Sequence, residues 1–355
     1  MLNFVILDAT ETTIESQCLQ NIANVTCCSS TIADGSDISN EQLANADIIG
    51  VWHTVWIQDE MLARLPATVK LLVRFGVGFD NVDIKSCAKR GIYVCNVPNY
   101  GTEEVADSAM SHILNLYRQT HNLAKAVSNG EKIKGPDSIA AAACNGGGAR
   151  RVRGQTLGLI GLGRIGMATA LRAKPFGFNI IFYDPHVSAG IDKAIGIERC
   201  NSLAELLEQS DCVSLHCNCS TENIRMLNTD QFNQMKTNSF LINTARGELI
   251  DDNALAEALH SGKVGAASLD VHWNEPFLTM DHEDHSKHVL ADCPNLTCTP
   301  HCAWYSKESR LEMRQIGASY VVSFSKQLKG NDGDGVNQKL KFSCCVNEHL
   351  MGKKE

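Results

Sequence analysis

The sequence predicts an α/β protein built as two doubly wound parallel-sheet domains, the first of them discontinuous. Apolar bursts of strand length alternate with stretches of helical period, the pattern that βαβ units leave in a chain. The bursts fall into two series separated by one helical stretch. A length of 355 residues, with 44% hydrophobic and 20% charged content, also exceeds what a single small core holds.

FVILDA, NVTCCS, ADIIGVW, KLLVRF and YVCNVP make up the first series. GTEEVADSAMSHILNLYRQTHNLAKAV then reads as one long helix crossing between the domains. Thr102 is its expected N-cap, and Glu103 and Glu104 lie in the first turn, where the helix dipole favours negative charge. AAAACNGGGARRVRG, glycine-rich and then basic, reads as a flexible surface connection. The second series is TLGLIGL, NIIFYD, CVSLHC, SFLINTA, GAASLDV and LTCTPH, ending at His301. KESRLEMRQIGASYVVSFSKQL is helical again, and a polar tail carrying GNDGDG follows. The expected division is residues 1–100 plus 305–355 for one domain and 101–304 for the other.

A formal charge of −8 provides no basic stripe, and Arg150, Arg151 and Arg153 make only a local patch, so direct nucleic-acid binding is not expected. The fifteen cysteines scatter across predicted core strands, as at Cys212, Cys217 and Cys298, and no C-x-x-C pair occurs. They read as reduced thiols. The doublets Cys27/Cys28 and Cys344/Cys345 lack companion ligands, so no structural zinc is expected. No apolar run reaches the roughly 18 to 20 residues of a membrane span, and FVILDA is too short and wrongly flanked for a signal peptide. The expectation is a soluble, intracellular protein.

GLGRIG, from Gly161 to Gly166, matches G-x-G-x-x-G, a weak signal alone. Its setting strengthens it. The motif leaves an apolar strand, enters the helical stretch MATALRAKPF, and precedes NIIFYD, which ends at Asp184. Such glycines let the backbone approach a pyrophosphate, and the helix N-terminus supplies oriented N–H groups. An acid at Asp184 would bond an adenosine ribose and repel a 2′-phosphate, which favours NAD(H) over its phosphorylated form.

Three further strands end in ionisable residues. NTARGELID places Arg246 after one strand, LDVHWNEP places Glu275 after the next, and LTCTPH places His301 at the end of the last. In an open α/β sheet the carboxyl ends of the strands border the ligand crevice, so the three can converge. Arg246 can hold a carboxylate and polarise an adjacent carbonyl. His301 can exchange a proton with a hydroxyl or carbonyl oxygen, and a carboxylate at Glu275 would stabilise the charged ring. In RFGVGFDNVD, Gly76 and Gly78 free backbone N–H groups to grip a carboxylate, with Arg74 near.

Taken together, RFGVGFDNVD, GLGRIG with Asp184, NTARGELID, LDVHWNEP and TPHCAW resemble the D-2-hydroxyacid dehydrogenase family over nearly the whole chain. GFDNVDIKS, YVCNVPN, SHILNLYR, ALRAKPFGFNIIFYDP, SDCVSLHC, CTPHCAWYS and CVNEHL resemble one branch of it more closely, the C-terminal binding proteins, which are transcriptional corepressors. The resemblance implies a flavodoxin-like first domain and a Rossmann second domain carrying a dimerisation helix. It implies that Arg246, Glu275 and His301 are catalytic, with Arg74 and the backbone at Val77 and Gly78 on the substrate carboxylate. Trp304 would pack on an apolar or thioether 2-oxo acid side chain. Gly161, Gly163, Arg164, Ile165, Gly166, Asp184, Cys217, Thr244, Ala245, Asp270 and Trp304 would line NAD(H). A homodimer is implied too, with transcription-factor partners bearing P-x-D-L-S-like peptides, a groove for them in residues 1–60, and a place in nucleus and cytoplasm. The purely metabolic dehydrogenase stands as the alternative. Val105 departs from the branch, which tends to place a threonine there, and TMDHEDHSKHVLADC is longer and histidine-rich, read as a solvated loop.

Overall fold

The computed structural model describes residues 1–143, 149–273, 275, 288–331 and 340–351. They form two compact units, Met1–Gly101 with Ser306–Glu355, and Thr102–Tyr305. The glycines of the connection before Ala149, residues 279–287 of the histidine-rich segment and most of GNDGDG lie outside the described residues.

In the first unit the strands are β1 (Leu2–Ile6), β2 (Ala23–Cys27), β3 (Ile48–Val51), β4 (Leu71–Arg74) and β5 (Tyr93–Asn96). They pair in parallel in the order β2-β1-β3-β4-β5. β3 and β5 are buried throughout, as expected of strands covered on both faces. The last long helix, Lys307–Asn331, returns to this unit. There Arg314, 1% exposed, bonds Glu15 at 2.7 Å and also reaches Glu11, two carboxylates of the first helix and its approach. Gly317 admits Phe75, whose ring would lie 2.3 Å from an added Cβ. The two ends of the chain are thereby joined in one core.

The second unit holds β6 (Thr156–Ile160), β7 (Asn179–Tyr183), β8 (Glu198–Arg199), β9 (Cys212–Leu215), β10 (Ser239–Asn243), β11 (Val264–Leu269) and β12 (Leu296–Cys298). Their order is β12-β11-β10-β9-β6-β7-β8, all parallel. The chain reverses direction across this sheet between β6 and β9, the switch point where open α/β sheets leave a crevice. Every strand of the sequence reading is present. β8 was not expected, because two edge residues leave no periodic signal.

The expected single crossing helix is two helices, Thr102–Arg118 and Thr120–Ser128. Gln119 between them takes the left-handed conformation, with φ of 55°. Its buried side-chain amide donates to the Leu116 carbonyl at 2.7 Å and accepts from Asn122 at 2.7 Å. Those bonds compensate the interrupted ladder, so an unbroken amphipathic pattern hides a real break. Thr102 is the first helical residue and not the cap, a one-residue shift. Ahead of the glycine run, Pro136 opens a short helix, Pro136–Ala142, in which the first residues of the expected flexible connection fall.

Candidate active site

The glycine loop leaves β6 at the switch point. Gly161 has φ of +95°, and a Cβ there would lie 2.7 Å from the Cys217 backbone nitrogen. A Cβ on Gly166 would lie 2.3 Å from the Gly161 carbonyl oxygen. Both positions therefore need glycine, one for the turn and one for close packing of the helix on it. Gly163 differs: it caps the helix Arg164–Ala173 and faces open space. That space, ahead of free helical N–H groups, is where a phosphate sits well. Arg164 and Ile165 form the first turn.

Asp184 follows β7. Its carboxylate accepts the Leu162 N–H at 2.8 Å, and those of His186 and Val187 at 2.8 and 3.2 Å. It thus binds the glycine loop to the turn after β7. His216, which the sequence reading did not single out, follows β9 with Nε2 2.9 Å from the Ser214 hydroxyl. Burial drives its pKa down to about 4, so the ring is neutral. Its neighbour Cys217 is half-buried, and burial raises that thiol to about 11.

β10, β11 and β12 lie side by side, and their carboxyl ends carry Arg246, Glu275 and His301 in turn. Asn243, at the end of β10, accepts the Ala245 N–H at 3.0 Å and donates to the Arg246 carbonyl at 2.7 Å. This shapes the turn that presents Arg246. Gly247 then packs against the next loop, where a Cβ would lie 2.1 Å from the His272 carbonyl carbon. The Arg246 and Glu275 loops are joined at that point.

The Glu275 side chain is held from two sides. Oε1 accepts the His272 N–H at 3.0 Å, and Oε2 lies 2.6 Å from His301 Nδ1. Burial raises its carboxyl, but the His301 hydrogen bond and charge, together with the His272 N–H, take it net below the ordinary value. The pair sits half-exposed, so a ligand can reach it.

His301 itself has φ of +50°, an uncommon conformation for a side chain branched only beyond Cβ. Asp270, 1% exposed at the end of β11, holds it there. Its carbonyl accepts the His301 N–H at 2.8 Å. Its carboxylate accepts the Thr299 hydroxyl at 2.6 Å and the N–H groups of Cys302 and Ala303 at 3.0 and 2.8 Å. Trp304 Nε1 closes the turn on the His301 carbonyl at 3.0 Å. One buried carboxylate thus fixes the whole segment 299–303.

Arg74, Val77 and Gly78 belong to the first unit. Arg74 ends β4 and donates to the Phe75 carbonyl at 2.7 Å and to Asn81 at 3.4 Å. Gly76 has φ of +143°, a conformation that L side chains rarely adopt, and the Arg74 guanidinium lies over it, 1.6 Å from where a Cβ would stand. Val77 is exposed, and Asn96 donates to its carbonyl at 2.6 Å. Two residues without a sequence signal build this corner. Asn81 donates to the Trp52 and Val55 carbonyls, and Asp8 accepts the N–H groups of Trp52, Thr54 and Val55. Burial raises the Asp8 carboxyl despite those three donors.

The second unit has the build of a dinucleotide-binding domain, with an acid–base pair at the carboxyl end of its sheet. Residues 110–303 match the family model described as D-isomer specific 2-hydroxyacid dehydrogenase, NAD binding domain. The chain belongs to that family, whose members are NAD-dependent oxidoreductases acting on a CH–OH group. It is 37% identical over 317 residues, 89% of its length, to C-terminal-binding protein 1 of Caenorhabditis elegans. It spans only 42% of that relative. It is also 33% identical to the glyoxylate reductase of Korarchaeum cryptofilum, covering 81% of this chain and 82% of that protein. A D-lactate dehydrogenase from Aquifex aeolicus, solved with NAD and lactic acid, superposes with a TM-score of 0.80 at 28% identity, covering 93% and 98% of the two chains.

The residues present fit NAD. Gly163 leaves an open cradle at a helix N-terminus, and the Thr244 hydroxyl beyond β10 is buried without a hydrogen-bond partner among the described residues. Val105, the departure noted in the sequence, is a buried residue of the helix Thr102–Arg118. Among the described residues, no three or more His, Cys, Asp or Glu side chains are grouped to hold a metal, and no helix is long and apolar enough to cross a membrane.

Proposed function

We propose that the chain reduces small 2-oxo acids to D-2-hydroxy acids with NADH, and that it acts as a corepressor of the C-terminal binding protein type. The observation that carries the first part is the 2.6 Å bond between His301 and Glu275 in the sheet that holds the glycine loop. Bound NADH supplies the hydride. His301 gives a proton to the carbonyl oxygen as it becomes a hydroxyl, using the nitrogen that Glu275 leaves free. Glu275 holds the ring and balances its charge. Arg246 pairs with the substrate carboxylate and polarises the carbonyl. By the family resemblance, Arg74 and the N–H groups at Val77 and Gly78 are substrate-binding groups of the first unit. Trp304 packs on the substrate's side chain. Gly161, Gly163, Arg164, Ile165, Gly166, Asp184, Cys217, Thr244, Ala245 and Asp270 serve the cofactor, Asp270 also by fixing the His301 turn.

Likeness to C-terminal-binding protein 1 supports the second part. On this reading the chain is a homodimer that reaches DNA only through transcription factors, in the nucleus as well as the cytoplasm. NADH favours the dimer because a ligand stabilises the state it binds better. A P-x-D-L-S peptide docks within residues 1–60, where β2 is an edge strand of the sheet among the described residues. Likeness to glyoxylate reductase supports the alternative, a purely metabolic dehydrogenase. Fluorescence polarisation of a labelled P-x-D-L-S peptide, with and without NADH and against a scrambled peptide, separates them. Specific binding is expected; protein that takes up NADH and ignores the peptide is a metabolic dehydrogenase.

A further inference from the structure

We propose that Cys95 and Cys345 form a peroxide-responsive disulfide that fastens the carboxyl-terminal segment to the edge of the first sheet. β5 is that edge, and residues 344–346 lie antiparallel to it. The Val346 N–H donates to the Val94 carbonyl at 2.9 Å, and the Asn96 N–H donates to the Cys344 carbonyl at 3.3 Å. These two bonds flank the cysteines, so Cys95 and Cys345 face each other as a non-hydrogen-bonded pair. Such pairs stand about 4.5 Å apart at Cα, within the roughly 4.4 to 6.8 Å that a disulfide spans.

The register is not free to slip. Asn347, fully buried, accepts the Val94 N–H at 2.9 Å and donates to the Ile92 and Ile84 carbonyls at 2.9 and 3.4 Å. The segment is therefore anchored two residues past Cys345. Cys95 is buried, whereas Cys345 is half-exposed and can meet a small oxidant. The hydrogen bond from Cys95 brings the Cys345 thiol down to about 7, and the same bond together with burial pushes Cys95 far up. Cys345, the more accessible of the two sulfurs, is the nucleophile, and buried Cys95 beside it the resolving thiol.

In the first step the Cys345 thiolate attacks hydrogen peroxide; an S–O bond forms, the O–O bond breaks, and hydroxide takes up a proton and leaves as water. In the second, the Cys95 sulfur attacks the sulfenic sulfur; the S–S bond forms and the S–O bond breaks, with the thiol proton leaving in a second water. Two thiols are oxidised and one peroxide is reduced. In a reducing compartment such a bond is transient, which suits a sensor rather than a staple.

The test uses the full reduced chain, a brief exposure to hydrogen peroxide, alkylation of remaining thiols, and peptide mapping by mass spectrometry without reductant. A peptide pair joining Cys95 to Cys345, reversed by dithiothreitol, is expected. Cys345→Ser should reduce peroxide-dependent protection of Cys95 from alkylation at least tenfold. Cys95→Ser should leave Cys345 as a sulfenic acid that dimedone traps, and an unchanged circular-dichroism melting curve of each reduced variant confirms that it is folded. A Cys344–Cys345 bond in place of the pair, or no cross-link from peroxide that oxidises other cysteines of the chain, would overturn the proposal.

Discussion

Replacing Glu275 by glutamine removes the negative charge beside His301 while keeping the side chain's length and the acceptor for the His272 N–H. What is lost is the charge on the oxygen 2.6 Å from Nδ1. At about 4 Å and an effective dielectric near 20, two unit charges interact by about 4 kcal/mol. The pair is 36% and 31% exposed, so screening lowers this to what a hydrogen bond to a charged group contributes, about 1.5 to 3 kcal/mol. The effect falls on the step in which the ring is charged. The kcat/KM for 2-oxo acid reduction should therefore drop by about 10- to 150-fold, with NADH affinity within about twofold of the parent. Initial rates of NADH consumption across a substrate series give the first quantity, and NADH fluorescence titration gives the second. A variant within threefold of the parent rate would refute the role given to Glu275. So would parallel losses of rate and cofactor affinity, which would mean that the residue only holds the loop.

Two further outcomes follow from the same geometry. Gly161→Ala puts a methyl group 2.7 Å from the Cys217 backbone at a φ of +95°, so NADH affinity should fall by about tenfold or more; an unchanged titration would remove the glycine loop from the cofactor site. Asp252 begins a helix, and burial, with Asp251 beside it, raises its pKa to about 6 from 3.8. The folded state thus holds the proton more tightly than the unfolded chain, and stability falls as pH rises between those two values. Asp252→Asn should then raise the melting temperature at pH 7, by an amount corresponding to about 1 to 3 kcal/mol, and leave it nearly unchanged at pH 4. Equal shifts at both pH values would refute the assignment.

The strands, and the position of the candidate residues at their carboxyl ends, were legible for a shared reason. Parallel strands covered on both faces are short apolar bursts, and their carboxyl ends are where ligands gather, so Arg246, Glu275 and His301 could be read together. GLGRIG was readable because its glycines answer steric demands that the structure shows at Gly161 and Gly166. The supports were not legible. Asp8 accepts N–H groups 44 to 47 positions away, and Asp270 accepts those of a turn 32 and 33 positions on. No local pattern marks a carboxylate as the partner of a distant backbone turn. His301 shows the limit most clearly: its residue type is what suggests proton transfer, while its left-handed backbone is held by Asp270 and Trp304. Gln119 is the converse, a break concealed because both flanking helices keep one apolar period.

His301→Ala tests the central claim most directly. Turnover of a pyruvate-like 2-oxo acid and NADH affinity should be measured side by side on this variant and the parent. The account predicts that turnover disappears while NADH binds with nearly unchanged affinity, because the cofactor rests on the glycine loop and Asp184. A variant that keeps its rate would contradict the assignment of proton transfer to His301 and, with it, the reading of the site.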